Sequence, residues 1–373
     1  MRYIADYWGK HSRKKLLIIK VDAIGDYILF RNFLPALLQS DKYRHHKVTL
    51  LGNYIWKDLA TGLDGHFFHK YIWIRRSSLT DSRAYRVFIR VVLKFCGRYD
   101  CVIVPTFSRR YFFEDFFVRI VSSREKISFL GNLSEQPETQ VNESSKNYTT
   151  LIKVPEDLIF EILRLKCFVE KITTQEMEAF NFSLLPKASS NTQTDELRDD
   201  IVICIFPSAS ESFKIWKADN FSELIGEFCK ASSRVRIRVL GGPLDVELAE
   251  YIVSKIENRE SVKNLAGQTS LLNLCKQISS ANLLITNDTL ALHIGVSHNV
   301  QVVCVANGNH YGRFMPYPKA ISNKLTCVFP EDVDRLGEKE RVDKYLLKSD
   351  LDINSISVQK VFDASFAALG FNK

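Results

Sequence analysis

Short apolar runs alternate with longer helix-like stretches along most of the chain. The runs Lys15–Val21, Lys47–Leu51 and Tyr99–Val104 have the length of strands, and stretches such as Ala84–Phe95 between them have a helical pattern. This alternation is typical of parallel strands whose faces are covered by the helices that connect them. The sequence therefore predicts an α/β fold.

The alternation occurs twice, on either side of a polar stretch. Residues 186–200 (PKASSNTQTDELRDD) contain a single large apolar residue and predict a linker. We therefore expect an N-terminal domain at 1–185 and a C-terminal domain at 201–350. We expect a last helix within 351–373 that packs back on the N-terminal domain. Both domains should be Rossmann-like, with parallel sheets facing a central cleft.

Composition limits the class of protein. The chain has 373 residues, of which 46% are hydrophobic and 25% charged, as in ordinary globular proteins. No apolar run reaches the roughly 18 residues of a membrane span, and the basic N-terminus lacks the apolar segment of a secretory signal. Eight cysteines without a C-x-x-C pair predict buried thiols in a reducing compartment. We therefore expect a cytoplasmic protein.

Positive charge is concentrated in the first part of the chain. The formal net charge is +8, with +11 in residues 1–150 and −3 in residues 151–373. This imbalance favours an anionic partner for the N-terminal part: nucleic acid, an acidic membrane surface or a phosphorylated glycan. A basic solvated surface without such a partner explains it equally well.

The loops that follow strands are the places to look for chemistry, because ligands of such sheets bind at the carboxyl ends of the strands. The first loop, Val21–Asp26, leads into a helix and contains Gly25. Asp26 at the helix N-terminus is suited to be a general base, or simply a capping residue. A lone glycine does not make the G-x-G-x-x-G fingerprint of dinucleotide-binding proteins.

Two later loops are suited to phosphate. In Pro207–Trp216, the Ser210 hydroxyl and the Lys214 charge suit a diphosphate, although a flexible polar loop is an equal alternative. Asp288 and Thr289 precede a helix whose N-terminus would offer unpaired N–H groups to an anion. His293 lies about one turn into that helix and is either a ligand or a core histidine.

Three further segments leave a choice between binding and structure. Asp245, after Gly241 and Gly242, is placed either to bind ribose hydroxyls or to end a plain turn. The loop Ala306–Phe314 is rich in Gly and Asn and suits either anion recognition or simple turns. The aromatic segment that follows two arginines suits stacking on nucleic acid, packing in the core or a lip on the acceptor side. The residues concerned in these last two segments are Asn307, His310, Arg313, Arg109 and Arg110.

Taken in order, these loops resemble glycosyltransferase family 9, the heptosyltransferase-like enzymes, from about residue 15 to about residue 318. The matching segments are Val21–Asp26, Tyr99–Ile103, Pro207–Leu224, and Asn287–Thr289 with His293. The last of these segments is similar to the family's N-D-T-G-x-x-H signature and is the most specific match.

The resemblance implies a GT-B fold and transfer of a sugar, often from ADP-heptose, to the lipid A–core region of lipopolysaccharide. Transfer would invert the anomeric centre and need neither metal nor cofactor. Asp26 would be the general base. The donor-binding residues would be Ser210, Lys214, Asp245, Asp288, Thr289 and Leu290. Further candidate substrate contacts are Gly25, His293, Asn307, His310, Arg313, Arg109 and Arg110.

The implied partners are a nucleoside diphosphate sugar, with an ADP-sugar favoured, and an anionic glycan or glycolipid acceptor. Peripheral contact with the cytoplasmic face of the inner membrane would follow, and no nucleic acid is expected. Leu290 stands where the family has glycine and Lys217 where it has proline, which indicates a divergent branch. The alternative is a catalytically silent protein that binds nucleotide sugars or phosphoglycans on the same fold.

Overall fold

The computed structural model describes residues 13–75, 98–131, 137–177, 182–184 and 200–371. The predicted helix Ala84–Phe95, Cys96 and all but the last residue of the predicted linker lie outside the described residues. The chain divides into two compact units, Met1–Phe180 and Asn181–Lys373.

The N-terminal unit is built on a six-stranded parallel sheet in the order β3-β2-β1-β4-β5-β6. Its strands are β1 (Lys15–Lys20), β2 (Lys47–Asn53), β3 (Lys70–Ile74), β4 (Tyr99–Val104), β5 (Ser123–Phe129) and β6 (Thr150–Ile152). Its described helices are α1 (Ile24–Arg31), α2 (Leu34–Leu38), α3 (Lys57–Leu63), α4 (Glu114–Ile120), α5 (Glu138–Ser145) and α6 (Glu161–Thr173).

The central strand β1 shows why the sequence forms this sheet. Leu16 to Ile19 are fully buried, as expected for a parallel strand covered on both faces. Ile18 lies opposite Leu50 on one side and Ile103 on the other. Pro35 falls in the first turn of α2, which separates α2 from α1 because proline fits only the start of a helix.

The C-terminal unit carries a second six-stranded parallel sheet, in the order β12-β11-β10-β7-β8-β9. Its strands are β7 (Ile201–Phe206), β8 (Val235–Val239), β9 (Val262–Asn264), β10 (Leu283–Asn287), β11 (Gln301–Val305) and β12 (Leu325–Val328). Its described helices are α7 (Ala218–Ala231), α8 (Val246–Ser254), α9 (Leu271–Ser279), α10 (Leu290–Ser297), α11 (Glu331–Asp334), α12 (Glu338–Tyr345) and α13 (Val358–Ala368).

The two sheets have the same strand order when each is counted from its own first strand. That order, 3-2-1-4-5-6, is the doubly wound Rossmann arrangement. The strand order reverses between β1 and β4 in one unit and between β7 and β10 in the other. We call each of these places the reversal point of its sheet. The loops after these four strands are therefore the expected ligand positions, and the predicted pair of Rossmann-like units is confirmed.

The last helix, α13, differs from the expectation that it packs on the N-terminal domain. Its buried Val361 belongs to the core of the C-terminal unit, and Val358 and Phe362 pack against the same core. Phe362 also contacts Phe228 of α7, with ring centroids 5.0 Å apart. The helix packs here because its apolar face completes this core. Within the described ranges, no helix has both the length and the apolar character needed to cross a membrane.

Candidate functional site

A buried ion pair occupies the reversal point of the N-terminal sheet. Lys20, the last residue of β1, places its Nζ 2.7 Å from Asp22 Oδ2, and the two residues are 2% and 7% exposed. Lys20 also donates to the Pro105 carbonyl at 3.1 Å, and Thr106 donates to Asp22 Oδ2 at 3.1 Å. The pair therefore ties the end of β1 to the loop after β4.

Nearby carboxylates affect the pKa of Lys20 more than its burial does. Burial lowers the pKa of Lys20, but the carboxylates of Asp22 and Asp26 raise it by more, so the net direction is upward. The main-chain carbonyl of Asp22 accepts from Asn53 Nδ2 and from Trp56 Nε1, each at 3.1 Å. The first loop is thus held by side chains from three strand ends.

Asp26 is the third residue of α1, and its Oδ2 accepts from the Ala23 N–H at 3.2 Å. It therefore has the capping role that the sequence leaves open beside the catalytic one. Asp26 and its neighbour Gly25 are half-buried and lie just beyond the carboxyl end of β1.

Arg109 lies in the interior of its unit. It is 2% exposed, donates to Asp115 Oδ1 at 2.7 Å and stacks over the Tyr148 ring at 4.4 Å. Tyr148 donates to the same Asp115 oxygen at 2.6 Å. Arg109 therefore braces the loop after β4, while its Nε and Nη2 atoms are buried without a hydrogen-bond partner. Arg110 is exposed, and its N–H donates to Glu114 at 2.9 Å.

A second lysine–aspartate pair occupies the reversal point of the C-terminal sheet. Lys214, in the loop after β7, lies 2.7 Å from Asp288 Oδ2, just past β10. The side chains are 15% and 8% exposed. The structure thus brings together two residues that the sequence predicted for one donor site, although they are 74 positions apart in the chain.

The loop that carries Lys214 is held at both ends. Fully buried Asn287 donates to the Pro207 carbonyl at 2.7 Å and accepts from the Trp216 N–H at 3.3 Å. Buried Trp216 donates from its Nε1 to the Ile356 carbonyl at 3.0 Å. Ser210 is exposed near the middle of this loop. The loop is therefore held at both of its ends.

The helix α10 begins beside the pair. Thr289 is its N-cap residue and half-buried Leu290 its first helical residue. The first N–H groups of a helix lack partners within the helix and carry the positive end of its dipole. This places an anion-binding helix end next to Asp288.

His293 is a buried residue of α10, 6% exposed, and its Nδ1 lies 2.7 Å from the Tyr317 hydroxyl. Burial raises the pKa of Tyr317, and the charge of Asp288 raises it further. The Tyr317 ring also stacks on Phe182, with centroids 5.7 Å apart. His293 therefore lies in a packed aromatic cluster near Asp288.

The loop after β11 is fixed by asparagines. Asn307 Nδ2 contacts the carbonyls of Phe213 at 3.4 Å and Leu351 at 3.3 Å. Asn309 Oδ1 accepts from the Ser349 N–H at 3.1 Å. The loop is therefore tied to the lysine-bearing loop and to the chain beyond α12.

The same loop brings His310 and Arg313 to this edge of the sheet. Phe314 contacts both: its ring centroid is 4.8 Å from the Arg313 guanidinium carbon and 6.1 Å from the His310 ring. Burial lowers the pKa of His310, and the positive charges of Arg313 and Lys214 lower it further. His310 therefore lies within the field of the donor-site lysine.

Asp245 forms a tight turn. Its Oδ2 accepts from the Gly242 N–H at 2.7 Å, and a Cβ on Gly241 would come within 2.7 Å of the Asp245 Cβ. Half-buried Asp245 thus orders the loop after β8, which is the structural alternative that the sequence left open. Leu244 beside it is 98% exposed.

One cavity of about 340 Å³ lies beside β8 and β9 and is lined by Arg236, Arg238, Ser261 and Lys263, among others. Neither Lys214 nor Asp288 lines this cavity, so the candidate site is inferred from the convergence of its polar groups. Across the described ranges, no group of three or more His, Cys, Asp or Glu side chains is arranged to hold a metal.

Sequence reasoning missed several residues of both sites. It did not single out Lys20, Asp22 or Thr106 at the first reversal point, nor Phe314 and Tyr317 at the second. Lys20 ends an apolar strand, a position at which a lysine side chain is usually solvated. Phe314 ends the loop Ala306–Phe314 and Tyr317 follows it, and neither belongs to a motif of its own.

Comparison with known proteins gives both a family and a fold. The model of "Glycosyltransferase family 9 (heptosyltransferase)" matches residues 160–345. The chain is 27% identical over 134 residues to lipooligosaccharide heptosyltransferase 2 of Campylobacter jejuni, and the aligned stretch covers 34% of this chain. The chain spans only 42% of the length of that relative.

Solved structures match over nearly the whole chain. A glycosyl transferase family 9 protein from Veillonella parvula superposes with a TM-score of 0.68 at 17% identity, covering 96% of this chain and 98% of its own. The E. coli heptosyltransferase WaaC, solved with ADP, gives 0.67 at 14% identity, covering 95% and 99%. These matches show a shared GT-B fold.

Proposed function

Because the chain belongs to glycosyltransferase family 9, we propose that it transfers a sugar from a nucleoside diphosphate sugar to a hydroxyl group of a lipopolysaccharide or other surface glycan. The observation that carries this proposal is the Lys214–Asp288 pair, 2.7 Å apart beside the N-terminus of α10. A cation and a helix end at the reversal point of a Rossmann-like sheet are suited to a diphosphate.

The proposed reaction is a single in-line displacement that inverts the anomeric carbon. Asp26 takes the proton of the acceptor hydroxyl, whose oxygen bonds to that carbon as the bond to the diphosphate oxygen breaks. Lys214 and the N–H groups of Thr289 and Leu290 stabilise the charge on the departing diphosphate. Ser210 donates to the diphosphate, Asp288 holds the donor sugar and Asp245 the ribose. We propose that no metal takes part.

The proposed donor is an ADP-sugar, with heptose or a related sugar. Two observations on relatives support it: the curated relative is a heptosyltransferase, and the E. coli enzyme of similar fold was solved with ADP. The proposed acceptor is an anionic glycan or glycolipid at the cytoplasmic face of the inner membrane. The net charge of +11 in residues 1–150 supports an anionic acceptor.

Donor binding is tested with the full chain in thermal unfolding against ADP, UDP, GDP and dTDP separately. A ligand at 100 times its Kd adds about 2.7 kcal/mol, which raises the Tm by several degrees. We expect a shift with ADP. A shift with another nucleotide only would keep the transferase and overturn the ADP-sugar. No shift with any would overturn donor binding.

Transfer is tested with ADP-heptose and a deacylated lipooligosaccharide acceptor, with and without EDTA. The Asp26→Asn variant should bind ADP as the wild type does and lose about 10²–10⁴-fold in kcat, the range of a general base. Asp41→Asn is the matched control, since Asp41 is an exposed partner of Arg44. ADP binding without turnover in the wild type, across donors and acceptors, would instead favour the silent binding protein. A loss with EDTA would overturn metal independence.

A further inference from the structure

Two cysteines face each other at the edge of the C-terminal sheet. Cys304 of β11 lies directly opposite Cys327 of β12, which is the last strand on that side. Among the cysteines of the described ranges, this is the only pair aligned across neighbouring strands. Residues aligned in this way point to the same face of a sheet, so the two thiols are neighbours.

The spacing of the two strands suits a disulfide. Neighbouring strands lie about 4.7–4.9 Å apart, and the Cα atoms of a disulfide are about 4.4–6.8 Å apart. Cys304 and Cys327 therefore need no large movement of the backbone to form a bond. A hydrogen bond with Cys327 raises the pKa of the Cys304 thiol well above its usual range, and burial adds to this effect. The two thiols thus already interact in their reduced form.

The two thiols differ in their access to solvent. Cys304 is fully buried, whereas Cys327 is half-buried in the edge strand, next to exposed Thr326. Helix α10 covers this face of β11, because a Cβ on Gly295 would come within 2.7 Å of Val302 Cγ2, and Val302 and Cys304 share a face. A small oxidant from solvent therefore meets Cys327 first, and Cys304 is the thiol behind it.

We infer that Cys304 and Cys327 form a reversible disulfide when the chain meets a small disulfide such as oxidised glutathione. The Cys327 thiolate attacks one sulfur of the small disulfide, and the first small thiol leaves. Cys304 then loses its proton and attacks the Cys327 sulfur, and the second small thiol leaves. Two protein thiols are thus oxidised while one small disulfide is reduced to two thiols. The raised pKa of Cys304 makes the second step the slower one.

The pair lies beside the proposed donor site. Cys304 is opposite Thr286 of β10, two positions before Asp288. Beyond the effects of Cys327 and burial, the charge of Asp288 raises the pKa of Cys304 and that of Lys214 lowers it. The inference goes beyond the proposed function and does not depend on it. In a reducing compartment, a reversible pair of this kind acts as a redox sensor rather than as a structural bond.

The inference is tested by incubating the folded full chain with reduced and oxidised glutathione in varied ratios, followed by alkylation, digestion and mass spectrometry. Trypsin cleaves after Arg313, Lys319 and Lys324, so the two cysteines fall in different peptides. In oxidising mixtures we expect the wild type to lose both thiols and to yield one cross-linked pair of these peptides. Dithiothreitol should restore both thiols.

Three variants assign the steps. Cys304→Ala should stop at a mixed disulfide between Cys327 and glutathione, because the second thiol is missing. Cys327→Ala should keep a free thiol at Cys304, which solvent does not reach. Cys167→Ser is the matched control, since Cys167 is a half-buried cysteine of the other unit, and it should form the bond as the wild type does.

Three results would overturn the inference. These are a wild type that keeps both thiols in oxidising mixtures, a wild type that stays at the mixed disulfide on Cys327, and a dimer linked through Cys327. If Cys304→Ala does not fold, by circular dichroism, the wild type and Cys327→Ala decide the matter. None of these measurements uses a donor or an acceptor, so such a failure would leave the proposed function standing.

Discussion

The reversal points of the two sheets carry the same pair of residue types at the same distance, with different surroundings. Lys20–Asp22 and Lys214–Asp288 are each 2.7 Å apart. The aspartates are about equally covered, at 10% and 8% side-chain exposure, but the lysines are 3% and 15% exposed. Lys20 ends a central strand and has the Pro105 carbonyl as a further partner, whereas Lys214 ends a 3-10 turn (Ser212–Lys214) within a loop.

The difference separates a structural lysine from the lysine that we propose binds the donor. A lysine fixed by a strand and by neighbouring polar groups stabilises the loop around it but has little freedom to meet a ligand. Lys214 ends a short 3-10 turn in a loop that is held at both ends and at the Phe213 carbonyl, and its side chain is the more exposed of the two. We therefore propose that Lys214 exchanges its carboxylate partner for a phosphate.

The largest effect should follow from breaking the buried pair. Asp22→Asn leaves the Lys20 charge in the interior without a counter-charge, and we expect a loss of about 3–5 kcal/mol in the free energy of unfolding. Asp288→Asn should cost less than about 1.5 kcal/mol, because Lys214 can turn towards water. Urea unfolding of both variants measures the two losses. Equal losses in the free energy of unfolding would contradict the different roles assigned to the two pairs.

Removal of the second lysine should affect the reaction more than the fold. Lys214→Met removes the positive charge that we propose stabilises the leaving diphosphate. We therefore expect kcat to fall about 10²- to 10³-fold, which corresponds to a barrier higher by about 2.7–4 kcal/mol. The unfolding free energy should change by less than about 1 kcal/mol. Steady-state kinetics and urea unfolding on the same preparation give both numbers. A stability loss matching that of Asp22→Asn would make Lys214 a brace as well.

The smallest effect concerns pH. Since burial and the charges of Arg313 and Lys214 lower the pKa of His310 in the fold, the unfolded chain takes up its proton first as the pH falls. Stability should therefore fall below about pH 6.5 and be regained above it. His310→Asn, which tolerates the φ of 56°, should remove this slope in urea unfolding between pH 5 and 7. His66→Asn, an exposed site in the other unit, should not.

Much of the fold was predictable because buried parallel strands are apolar on both faces. Runs such as Lys15–Val21 and Ile201–Phe206 have that pattern, and the structure places β1 and β7 there. The loops after strands could be located for the same reason, and the structure brings Lys214 and Asp288 together as the donor hypothesis requires. The packing of α13 could not be predicted, since its apolar face fits either unit by sequence alone.

The direction in which polar side chains point could not be predicted. Arg109 is a candidate substrate contact, and its side chain points into the interior towards Asp115 in the next helix and Tyr148 farther along the chain. Lys20 was not singled out although its counter-charge Asp22 is two positions away, because its burial depends on the loop after β4, which contacts both residues. Such pairs depend on tertiary contacts that periodicity does not record.

The hydrogen bond from Trp216 to the Ile356 carbonyl joins residues 140 positions apart. During translation the lysine-bearing loop is made long before the segment that anchors its end. At about 5–20 residues per second, that interval is on the order of ten seconds. The nascent chain can therefore assemble the central strands of the C-terminal sheet well before this anchor exists. The anchoring of this loop therefore follows the synthesis of the strands around it.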